Sequence, residues 1–109
     1  MADCIFIRSG IEMEAGLKPG QLDSDIINSV VDMTLQVTRD ARNWYESGAS
    51  SEDGEEYAEM IEDSLKNWAD QDLRYLCEKK GLDAEVYAAA YSRADNAVRA
   101  YAELLRRVK

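Results

Sequence analysis

After Pro19 the chain contains no further proline, and after Gly20 the only glycines are Gly48, Gly54 and Gly81. Proline removes a backbone donor, and glycine costs a helix about 1 kcal/mol relative to alanine. Their scarcity leaves long segments free to run as unbroken helix. The last segment uses that freedom most regularly. Tyr87, Tyr91, Ala94, Val98, Tyr101, Leu105 and Val108 are separated by 4, 3, 4, 3, 4 and 3 positions, the apolar seam of a helix packed lengthwise. Ala88, Ala89, Ala90, Ala97, Ala100 and Ala102 around it let a neighbour approach closely. The seam is expected to pack inside the molecule. The alternative is that part of it pairs with a second copy or a partner.

Two more helices precede it. Asp23 or Ser24 can cap the first, whose apolar residues Ile27, Val30, Val31, Leu35, Val37, Ala41, Trp44 and Tyr45 fall mostly at gaps of three and four. Residues 47–51 end it. The second starts near Ser51 or Asp53, carries Tyr57, Ile61, Leu65, Trp68, Leu73 and Leu76, and stops at Gly81 after Lys79 and Lys80; glycine commonly ends helices, and lysines suit the last turn. Asp83 can cap the third. Upstream, residues 4–8 are rich in β-branched and aromatic side chains, Ser9-Gly10 reads as a turn, and residues 11–15 alternate apolar and polar, a pattern that predicts a short β-hairpin. At 109 residues the expected architecture is one mainly α domain. Residues 1–20 form hairpin and loop, and residues 22–109 form a three-helix bundle.

Hydrophobic residues at 46% and charged residues at 32% make a globular composition rather than a disordered acidic tail. Histidine is absent, which removes histidine triads, histidine acid–base catalysis and the usual histidine-containing zinc sites. Cys4 and Cys77 form no C-x-x-C and are expected as free buried thiols in a reducing compartment, with a single disulfide as the alternative. The N-terminus lacks a signal-peptide pattern and a myristoylation start, and no run is long enough for a membrane span, so a cytosolic location (of a cell or of a host) is expected.

The net charge of −9 argues against nonspecific contact with nucleic acid or an anionic membrane. It is unevenly placed. Residues 1–65 carry 15 acids and four bases, for −11, and residues 66–109 carry seven acids and nine bases, for +2. The densest stretch is Glu52, Asp53, Glu55, Glu56, Glu59, Glu62 and Asp63. The first four suit a helix N-terminus. The last three lie beyond it, and Glu55/Glu59 and Glu59/Asp63 are like charges four apart, costing about 0.2–0.5 kcal/mol each. On a helix such carboxylates rise about 4.5–6 Å apart, a coarse imitation of phosphates spaced about 3.4 Å along a DNA strand. Asp23, Asp25, Asp32 and Asp40 extend the row if they share its side. An ordinary solvated face is the alternative. Of the aromatics, Trp44, Trp68, Tyr57, Tyr87, Tyr91 and Tyr101 fall on apolar stripes and are expected in the core. Tyr45 and Tyr75 lie off the cleanest stripe and are candidate contact residues.

Residues 49–60 are no EF-hand loop, because Ala49 and Met60 occupy its first and last ligand positions. No glycine-rich phosphate loop is present, and neither cysteine has a histidine to activate it. Glu56-x-x-Glu59 and Glu59-x-x-Glu62 resemble one half of the motif of all-α nucleotide pyrophosphohydrolases, which implies Mg²⁺ held by carboxylates of two helices. The second half has no counterpart, since Asp95 and Glu103 stand alone in the third helix.

The leading expectation is a non-enzymatic binding protein, without cofactor or metal. It would block a basic, nucleic-acid-binding protein partner through Glu52, Asp53, Glu55, Glu56, Glu59, Glu62 and Asp63, with Tyr45 and Tyr75. In size and charge it is similar to phage counter-defence inhibitors, including anti-CRISPR proteins, and to toxin-immunity proteins. The alternatives are an adaptor bundle that homodimerises through the third helix, and the Mg²⁺-dependent pyrophosphohydrolase.

Overall fold

The computed structural model of the chain describes the backbone of residues 2–46 and 51–107 and the side chains of 7–46 and 54–107. All the described elements are helical: α1 (Ala2–Ala15), α2 (Ser24–Glu46), α3 (Ser51–Asn67), a π-helical segment (Trp68–Leu73), α4 (Arg74–Lys80) and α5 (Ala84–Arg107). Three of the expected boundaries are right. The Asp23 carboxylate accepts the Asp25 N–H at 2.8 Å and opens α2. Gly81, at φ 65° and ψ 36°, closes α4 by donating its N–H to the Cys77 and Glu78 carbonyls, a left-handed turn that glycine adopts without strain. The Asp83 carbonyl accepts the Val86 N–H at the start of α5.

The N-terminal hairpin is not formed. Residues 2–15 are helix, and no strand occurs among the described residues. Ile7, Ile11 and Ala15 are spaced by four, and all three lie in or against the core. Helical coiling puts these three on one side. A strand would have left Met13 beside Ile11 on the same face, whereas Met13 is 82% exposed. Packing against the rest of the molecule therefore overrides the local β preference of residues 4–8. The side chain of Cys4 lies outside the described residues. Cys77 is a free, buried thiol.

Residues 51–80 form one helical rod, because Asn67, Leu73 and Arg74 keep right-handed helical dihedrals through the π segment. In that segment the Arg74 N–H reaches the Ala69 carbonyl, five residues back. The wider turn brings Leu73 and Cys77 onto the side that Ile61, Leu65 and Trp68 bury. The Trp68 indole N–H donates to Ser29 Oγ on α2 at 2.8 Å.

Two contacts give the direction of each helix. Lys80 at the end of α4 bridges to Asp23 and Asp25 at the start of α2, and α5 begins just after the turn at Gly81. At the opposite end, Trp44 and Tyr45 of α2 border a groove with Leu104 and Leu105 of α5. α2 and α5 therefore run the same way, and the rod runs back against both. α5 is the central helix, with its largest interface on α3, then on α2 and α1. Ala94, Val98 and Leu105 of its seam and Ala102 beside it are buried, Tyr87, Tyr91 and Tyr101 pack partly buried against the core, and Val108 lies outside the described residues. The seam is thus used within the chain. The molecule measures 44 × 27 × 17 Å. α1 covers the early part of α5, where Gly10 lies close to Arg93, and the buried Glu12 carboxylate accepts the Leu22 N–H of the following loop at 3.0 Å.

Candidate functional site

The acids of α3 divide into two sets according to what lies opposite them. Glu55 and Glu62 lean toward α5. The Arg106 guanidinium forks onto Glu62 at 2.8 and 3.1 Å and donates its Nε–H to Glu55 at 2.9 Å. Hydrogen bonding to Arg106 holds the Glu62 carboxyl below the ordinary glutamate range, against the opposing effect of burial, with the charges of Arg106 and Lys66 adding to it. The same bonds, first to Glu62 and then to Glu55, push the Arg106 guanidinium further up.

Glu56, Glu59 and Asp63 form the other set. Spaced by three and four, they share the outward side of the helix, and all three are exposed. Among the described residues none of them forms an ion pair. Glu52 and Asp53 sit in the first turn of α3, but their side chains lie outside the described residues. The result is an acidic ridge on the outer side of α3, flanked toward α5 by two carboxylates already engaged.

Asp23, Asp25 and Asp32 do not lengthen the ridge as one row. Asp23 and Asp25 are held by Lys80 at 3.2 and 2.8 Å. Partial burial raises the Asp23 pKa, but the Asp25 N–H and Lys80 outweigh it, so the carboxyl sits below its usual range. Asp32 borders a separate groove with Asp72, between α2 and the rod.

Between α3 and α5 a groove of about 390 Å³ is bordered by Glu59, Glu62, Asp63, Lys66, Tyr91, Asp95 and Arg99. Carboxylates of two helices border it, Glu59, Glu62 and Asp63 from α3 and Asp95 from α5. Two of them already have cationic partners: Glu62 binds Arg106, and Asp95 accepts from Arg99 at 2.6 Å. Among the described residues no three carboxylates or thiols converge on a point that a metal ion could occupy. Burial pushes the Cys77 thiol up, away from the thiolate form that thiol chemistry uses.

Tyr45 and Tyr75 are exposed, at 73% and 59%, but they do not join the ridge. Tyr75 lies on α4, twelve residues and about 18 Å of helix beyond Asp63, with the Lys79 ammonium 5.7 Å above its ring. Tyr45 borders the groove between α2 and α5. That groove was not anticipated from sequence. Its one early sign is Leu104, which lies off the α5 seam and is 55% exposed.

No protein-family model, curated protein or solved structure matches the chain. Among the described residues no helix is long and apolar enough to cross a membrane. Any reading of function therefore rests on the surface chemistry.

Proposed function

We propose that the chain is a non-enzymatic binding protein whose acidic ridge docks onto the basic surface of a nucleic-acid-binding partner and keeps nucleic acid off it. The observation that carries this is the exposure of Glu56, Glu59 and Asp63 on one strip of α3 with no ion pair among the described residues. Like charges at this spacing repel one another and weaken the helix, and an opposing row of Lys and Arg relieves that repulsion. A rigid row of carboxylates also draws the same cationic grooves that attract phosphates. The likeness in size and charge to phage counter-defence and immunity proteins belongs to this proposal.

The test is competition. The immobilised protein should retain nucleic-acid-binding proteins from host lysate at low salt and release them to duplex DNA. The triple variant Glu56→Gln, Glu59→Gln, Asp63→Asn should keep its circular dichroism and lose at least tenfold in retention, as removal of several interfacial charges implies. Undiminished retention by the triple variant would reject the proposal.

A further inference from the structure

A second surface lies on the other flank of α5. Arg93, Ala97, Tyr101 and Leu104, at helical spacing, follow one strip of that helix. α1 packs against the part of the strip that includes Arg93. Farther along, Tyr101 is partly buried and Leu104 is 55% exposed. There it forms a groove of about 380 Å³ with Thr38, Arg42 and Tyr45 of α2.

The groove combines apolar and cationic chemistry. Leu104 and Tyr45 stand exposed on its two walls. The Tyr101 and Thr38 hydroxyls bond to each other at 3.2 Å across it, and Thr38 also donates back to the Thr34 carbonyl. Arg42 borders it. Arg39 lies three residues before Arg42 and Arg107 three after Leu104, so each is a surface neighbour of a groove residue. Among the described residues none of these three arginines forms an ion pair. Among the described residues no acid borders the groove; Asp40, Glu46 and Glu103, each next in sequence to a lining residue, lie outside its lining, as do Arg39 and Arg107. An apolar trough whose one charged lining residue among those described is Arg42, in a chain of net charge −9, differs in sign from the α3 ridge.

We propose that this end of the α2–α5 groove docks an amphipathic helix with acidic flanks, supplied by a partner protein. The shape argument comes from α1, which is itself a helix seated along the same pair of helices with Ile7 and Ile11 turned to the core. A guest helix continues that line and sets apolar side chains beside Tyr45, Tyr101 and Leu104. Its flanking carboxylates meet Arg42, Arg39 and Arg107.

The probe is a fluorescein-labelled helical peptide with leucines at i, i+3 and i+7 and glutamates on either side. It is titrated against the full chain beside the same peptide carrying lysine for every glutamate, and beside an oligothymidylate. The acidic peptide should bind, more weakly as salt rises, and shift the amide resonances around Tyr45 and Leu104. Leu104→Asp and Tyr45→Ala, both at exposed positions, should each weaken it by about tenfold. Arg42→Glu should weaken it and narrow its advantage over the lysine peptide. The ridge variant Glu56→Gln, Glu59→Gln, Asp63→Asn should bind it undiminished, which separates this groove from the α3 proposal. Four results would each overturn the inference: no peptide binding, equal binding of the lysine peptide, tighter binding of oligothymidylate, or groove resonances that move with protein concentration alone, which would make the occupant a second copy.

Discussion

Gly54 has no side chain where none fits. A Cβ there would collide with the Leu105 carbonyl oxygen of α5 and stand 3.2 Å from the Trp44 ring. A backbone carbonyl does not swing aside as a flexible side chain does. Gly54→Ala is therefore expected to destabilise by about 1–3 kcal/mol, although alanine is the better helix former. Urea denaturation checks this, and a higher midpoint for the variant would show that α3 and α5 do not approach so closely. Glu12 poses a related question with polarity in place of volume. Glu12→Ala removes the acceptor of the Leu22 N–H in a buried place, at an expected cost of about 1–3 kcal/mol. Glu12→Gln, which keeps an amide oxygen, should lose less in the same assay. Neither role is readable from sequence, because each depends on what arrives from elsewhere in the chain. Facing direction is readable for these aromatics, since apolar spacing put Trp44 and Trp68 inside and left Tyr45 and Tyr75 out, as found, whereas Leu35 of the same stripe is exposed.

The sequence located three of the helical segments, residues 24–46, 51–80 and 84–107, closely, because their apolar gaps and end signals agree. It misplaced residues 2–15, where alternation around Ile11 suits a strand and the spacing of Ile7, Ile11 and Ala15 suits a helix. The choice was made by the surface of α5. The π segment had a visible sign: Trp68 and Leu73 are five apart where the stripe otherwise steps by three or four. An inserted residue accounts for that gap, so deleting the exposed Gln71 should restore α-helical turns and leave α4 in the same rotation. Cooperative thermal unfolding and an unchanged near-ultraviolet signal from Trp68 are the expected result. Between elements, Arg106 ties α3 to α5 through Glu62. Since the folded carboxyl titrates below its unfolded value, this tie stabilises fully above the ordinary glutamate pKa. It is lost as pH falls through the depressed one. Urea midpoints measured down the acid limb should drop for the wild type and drop less for Glu62→Gln.

For the molecule as a whole, the charge count foresaw an acidic first two-thirds of the chain but not its division into sides. Arg106 belongs to the basic tail, and only folding brings it to Glu55 and Glu62. That contact leaves Glu56, Glu59 and Asp63 as the outward row. Folding likewise gathers Arg42 and Leu104 at one groove, which is why that groove escaped a reading along the chain. Residues 51–80 are tied near one end to α5 by Arg106 and at the other to α2 by Lys80. The double variant Arg106→Gln, Lys80→Gln should speed hydrogen exchange near both ends and leave amides around Leu65 and Trp68 protected, as local fraying predicts. A beam pinned at both ends does not bend to suit what touches it. The spacing of its outward charges is then a fixed ruler, and a floppy polyglutamate of equal charge should compete poorly for the same receptor.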